Sequence, residues 1–226
     1  MVVGEATDRE LMLAMSILEY ILLDTPASPL KKALIAEGIG EDVYGAFQTH
    51  LRQPIFTIVA KNAKEDKKER FYEVIQNELA RIANEGIPEA LLKGALQVKE
   101  FELRESDSSG YSKGLFYGLA ALKSWVYDAS PYTYLKYEEE IGNIKAKAYS
   151  GYFEGLIKKY LLGNSHAARV ILYPKVGLEK EQDEKVTQIL AEYKKSLSEE
   201  EIQVLVAQTK SFNDFQAQVD PPETLS

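Results

Sequence analysis

Hydrophobic and polar positions alternate along this chain in two distinct rhythms. From Leu11 through Met15, Leu18 and Leu22 the apolar residues recur every three or four positions, which predicts a helix to about Leu23. Thr7-x-x-Glu10 ahead of it reads as a capping box. Ser28-Pro29 predicts the start of a second, short helix closed by Gly38 and Gly40. Asp42–Gln48 and Pro54–Ala60 then read as two strands, Ile55-Phe56-Thr57-Ile58-Val59 being the clearest. Helical spacing returns with Phe71, Val74, Ile75, Leu79 and Ile82, ended by Gly86, and again after Pro88 with Leu91, Leu92, Ala95, Leu96 and Leu103. A polar break, Ser106-Asp107-Ser108-Ser109-Gly110, precedes a helix with Leu115, Leu119 and Leu122. Pro131–Ile144 and Ala148–Leu162 read as helices, and Arg169–Tyr173 as a last strand stopped by Pro174. Leu178–Leu197 is charged and helical. Ser198 with three glutamates opens a final helix to about Gln216, before Val219-Asp220-Pro221-Pro222-Glu223. Met1–Gly4 resembles the tail of a strand whose start is absent.

This order predicts an α+β fold, a small and mainly antiparallel sheet covered by helices, with a helical C-terminal tail. The expected division is a domain over 1–175 and a helical extension over 176–226. No repeat at solenoid periods is present.

Composition narrows the function classes. The 226 residues are 45% hydrophobic and 27% charged, enough for one substantial core. Lys and Arg number 27 against 35 Asp and Glu, a net charge of −8, which argues against a nucleic-acid partner. There is no cysteine, which excludes a disulfide scaffold, a thiolate metal site and a cysteine nucleophile. No apolar run approaches the ~20 residues of a membrane span, so no membrane partner is expected. MVVGEATDRE lacks the features of a signal peptide.

Candidate chemistry is sparse. Gly110-Tyr111-Ser112-Lys113-Gly114 matches the nucleophile elbow, with His166 in hydrolase order, but Glu100–Glu105 before it reads as a charged helix end where the elbow needs a strand. Ser28-Pro29-Leu30-Lys31 matches Ser-x-x-Lys without its companion elements, and a serine N-cap explains it. His50 and His166 are the only histidines, too far apart in sequence to supply two zinc ligands from one helix turn. Gly38, Gly40 and Gly45 lack phosphate-loop spacing and read as a cap and a bend or bulge. Ten of fourteen tyrosines lie between Tyr111 and Tyr173; packed helix faces explain them more simply than the wall of a peptide chamber.

The stretch Leu22–Ile58, LLDTPASPLKKALIAEGIGEDVYGAFQTHLRQPIFTI, resembles the second, non-catalytic domain of the N-terminal half of insulinase-like (pitrilysin) zinc metallopeptidases, presequence-protease branch. The likeness extends from about Val3 to the C-terminus. Domains of that family open with a complete strand before the Gly-Glu-Ala-Thr-Asp segment, and the tail from Ser198 is similar to the first arm of the hairpin joining the two halves. Both ends therefore suggest an excised piece. The family's His-x-x-Glu-His motif is absent.

The resemblance implies a parent that hydrolyses unstructured peptides in an enclosed chamber, with zinc in the intact parent and no cofactor in this chain. The metal and base would come from another domain, and an Arg/Tyr pair from the other half. The partners implied are the remaining domains of the same polypeptide and peptide substrates; the compartment implied is cytoplasmic if the source is bacterial. The isolated chain is expected to be inactive. The strand holding Val43, Tyr44, Gly45, Ala46 and Phe47 would border the chamber and receive substrate by β-augmentation, an interaction that Gly45→Pro is expected to weaken. The alternatives are an inactive scaffold subunit of the same fold and an unrelated serine hydrolase using Ser112 and His166.

Overall fold

The computed structural model describes residues 1–105, 110 and 112–218. The break at 106–109, Tyr111 of the elbow motif and the 219–223 segment lie outside the described residues. The chain divides into two compact units, Met1–Arg169 and Val170–Ser226.

The first unit is organised around α1 (Arg9–Glu19), which continues as one π-helical turn, Tyr20–Asp24. The periodicity shows one stripe, yet Leu11, Met12, Leu13, Ala14, Met15, Ile17 and Leu18 are all buried, as are Ile21, Leu22 and Leu23. A helix apolar on every side is a core helix. Together with α2 (Pro29–Ala36) it makes the 9–36 stretch apolar and long enough to cross a membrane by composition, contrary to the expectation from sequence. Some 61% of its most apolar 18-residue window is buried inside the protein, as in the core helix of a globular domain.

Asp8, not Thr7, caps α1: its Oδ1 accepts the Leu11 N–H at 3.0 Å. The expected capping box does not form, because the Glu10 carboxylate turns outward to accept from Lys147 Nζ (2.8 Å), Tyr152 OH (3.3 Å) and Asn143 Nδ2 (3.4 Å). These bonds tie α1 to α6 (Glu138–Lys147) and α7 (Tyr152–Leu156).

Strands β1 (Asp42–Gln48) and β2 (Ile55–Lys61) pair antiparallel, with Gly45 opposite Ile58 and Phe47 opposite Phe56. Near the N-terminus Val2 forms an isolated antiparallel bridge with Ile55. Helices α3 (Lys68–Glu85) and α4 (Glu89–Glu105) follow, the turn between them using Gly86 at φ 92°. Glu154 on α7 accepts the Ile87 N–H at 2.9 Å and fixes that turn.

Two expectations fail here. Pro131–Ile144 is not one helix: residues 131–135 are turns and α6 begins only at Glu138. The Ser130 carbonyl accepts from both the Thr133 N–H (3.1 Å) and the Thr133 hydroxyl (2.8 Å), a local alternative to helical bonding. Arg169–Tyr173 forms no strand. Strand propensity is not enough without a ladder partner, and none is present among the described residues. Val170 and Leu172 remain 80% and 90% exposed.

The second unit holds α8 (Leu178–Ser196) and α9 (Glu199–Ala217). Ser198 and Glu201 form the capping box of α9, as the acidic run after serine predicts. Neither helix buries a residue.

Candidate functional site

The five candidate residues Val43–Phe47 all lie in β1, and the direction of their backbone groups follows from a neighbouring pair of hydrogen bonds. The amino terminus of Met1 donates to the Phe56 carbonyl (3.0 Å), and the Phe56 N–H donates to the Met1 carbonyl (2.8 Å). In an antiparallel strand, a residue's N–H and C=O point to the same side. Phe56 therefore faces away from β1, so Phe47–Phe56 is a non-hydrogen-bonded pair of the β1–β2 ladder, its rings 6.2 Å apart. By alternation, Asp42, Tyr44, Ala46 and Gln48 bond to β2. Val43, Gly45 and Phe47 direct their N–H and C=O to the outer edge of β1, where no strand pairs among the described residues. The far edge of β2 is covered at its start by Met1–Val3, and no strand among the described residues pairs with it at Ile58 and Ala60.

The same alternation sorts the side chains. Val43 is fully buried and Phe47 packs against the core, while Tyr44 is 44% exposed on the opposite face. Gly45 faces inward. A Cβ there would stand 2.5 Å from Leu23 Cδ1, 3.0 Å from Leu23 Cβ and 2.8 Å from Glu19 Oε1. Its smallness thus serves the helix beneath the sheet, and its regular pairing with Ile58 shows no bulge. Proline at 45 would break no bond to β2 but would remove the outward N–H and place its ring in this contact. Gly45→Pro consequently disturbs packing and the β1 edge together.

Glu19 is the residue that sequence reasoning missed, because its helix reads there as an apolar stripe. Burial chiefly, then Asp24 and Glu102, hold its carboxyl above the usual range, with Lys99 opposing them. Lys99 is itself committed to Glu102 at 2.9 Å. The π turn that carries Leu23 to Gly45 is a helix irregularity of a type frequent at functional sites.

The other motifs have structural occupations. Ser112 caps α5 (Lys113–Trp125), its Oγ accepting the Leu115 N–H at 3.4 Å. The His166 carbonyl accepts from Val2 N–H (3.0 Å) and its own N–H donates to Asn164 (2.8 Å). Ser28 is fully buried and bonds Thr25 and the Tyr20 carbonyl, so its hydroxyl is closed to any substrate; Lys31 pairs with Asp42. Gly38 and Gly40 take φ 65° and 77°, after α2 and against the Lys61 carbonyl respectively.

Several tyrosine hydroxyls anchor backbone: Tyr127 to His50 O (2.8 Å) and Tyr134 to Ala6 O (2.7 Å). Burial pushes the Tyr134 phenol up to about 12, under Arg9 and Lys123 at 4.7 and 5.6 Å from its ring. These two rings brace the fold.

Among the described residues no group of three His, Asp or Glu side chains converges. His50 and His166 both lie exposed in loops.

Residues 1–98 match the peptidase M16 inactive domain. Protein HypA of Clostridium perfringens is 38% identical over 224 residues, covering 99% of this chain and 23% of the relative. Presequence protease 1, chloroplastic/mitochondrial, of Arabidopsis thaliana is 31% identical over 223 residues, covering 96% of the chain and 21% of the relative. The mitochondrial presequence protease of Gibberella zeae is 29% identical over 209 residues, 88% of the chain and 20% of the relative. The chain thus spans between a fifth and a quarter of the length of these relatives. Over residues 1–98 it carries the inactive domain of the peptidase M16 family, the insulinase-like class its sequence resembles.

Proposed function

We propose that this chain is the non-catalytic wall of a longer zinc metallopeptidase and that it holds extended peptide along β1. The observation that carries the proposal is the outer edge of β1 at Gly45 and Phe47, partly exposed and unpaired by any strand among the described residues, in a domain of the inactive type. Unpaired N–H and C=O groups in a row accept any extended backbone, largely regardless of its side chains. Zinc, the base and the polarised water belong in this reading to another domain of the same polypeptide. Unit 2 would begin the segment joining the two halves of that polypeptide.

If capture is by backbone pairing, alternate N-methylation of a peptide is expected to abolish it. Methyl groups on every second nitrogen remove the donors along one edge and obstruct pairing there. A ten-residue peptide of alternating Thr and Val, followed by fluorescence anisotropy with the purified chain, is expected to lose at least tenfold in affinity when so methylated. That is the loss of roughly 1.4 kcal/mol, about one or two net hydrogen bonds. Equal binding by the methylated peptide would contradict capture at a strand edge.

A further inference from the structure

We infer that Glu19 selects a basic side chain in a peptide paired along β1. The inference rests on the strand-edge reading and deepens it by naming the chemistry of the ligand. Gly45 presents its N–H and C=O outward, so a residue of an antiparallel peptide opposite it would form a hydrogen-bonded pair and share its inner face. The side chain of that residue points to the same face as Gly45, whose own Cβ position lies 2.8 Å from Glu19 Oε1. Leu23 forms the apolar wall of the same spot.

The local charge balance favours a cation there. Among the described residues Glu19 makes no ion pair, and Asp24 and Glu102 add further negative charge. Lys99, the cation whose charge acts on this group, is held by Glu102 at 2.9 Å and lies over the Tyr20 ring. A half-buried carboxylate without a direct ion pair raises the free energy of the empty site. A lysine or arginine delivered by the peptide would neutralise it, its methylenes packing on Leu23.

The test uses acetylated, amidated ten-residue Thr/Val peptides bearing a central Lys, Gln or Glu, so that no terminal charge contributes. Anisotropy titrations with the 226-residue chain are expected to rank Lys above Gln by about tenfold, and Gln above Glu. Glu19→Gln keeps the shape and is expected to erase the ranking while leaving the Gln peptide unchanged. This variant is also expected to melt no lower than the unsubstituted chain, because it removes an unpaired carboxylate. A Lys preference that persists in Glu19→Gln, or no preference in the unsubstituted chain, would overturn the inference and leave the strand edge standing. Equal binding of the N-methylated Lys peptide, or no binding of any peptide, would overturn the edge reading itself and the inference with it.

Discussion

Replacing Phe56 by alanine is expected to lower the stability of the first unit by about 3–5 kcal/mol. Phe56 is fully buried, its ring lies 6.2 Å from that of Phe47, and its backbone bonds Met1 in both directions. The substitution removes the transfer free energy of the ring and leaves a cavity at the junction of β1, β2 and the N-terminal segment. Domains are stable by only about 5–15 kcal/mol, so much of the reserve would be lost. Because the chain has two units, a single urea midpoint is not well defined. The measurement is therefore calorimetric: the transition of the first unit should fall by roughly 6–20 °C, at about 2–4 °C per kcal/mol for a unit of this size. A fall of less than 2 °C would mean that Phe56 is not the keystone of the sheet.

Gly45→Ala is expected to cost about 1–3 kcal/mol, and Gly45→Val more. An added methyl must displace Leu23, whose Cβ, close to the backbone, stands only 3.0 Å away. The cost opposes the gain of up to about 1 kcal/mol that replacing glycine normally gives in a regular element. The sign of the result is thus informative. Leu23→Ala should make room, so Gly45→Ala should cost less in the Leu23→Ala background than alone, a coupling expected to exceed 0.5 kcal/mol. Strict additivity would mean that Gly45 is not held small by the π turn beneath it.

Much of this architecture was legible in the sequence, because the local signals there agree with the tertiary structure. The bounds of β1, the cap at Ser198, and the helix ends at Gly38 and Gly86 all follow from short-range chemistry. What failed was decided elsewhere. RVILY has strand composition, but a strand exists only with a partner. Thr7 and Glu10 have capping-box spacing, but Lys147 and Tyr152, more than a hundred residues on, claim the carboxylate. The direction of the β1 edge rests on a bond between Met1 and Phe56, a pairing that periodicity does not reveal. Gly45 showed as a small residue in a strand; what it makes room for, Leu23 and Glu19, appeared only when the helix was placed beneath it.

The central claim is that this chain holds peptide without cutting it. The most direct measurement incubates a Lys-bearing Thr/Val peptide with the purified chain and added zinc, following anisotropy and then peptide mass. The account predicts a rise in anisotropy and an intact peptide, with neither altered by a chelator. Zinc-dependent, chelator-sensitive cleavage would contradict it.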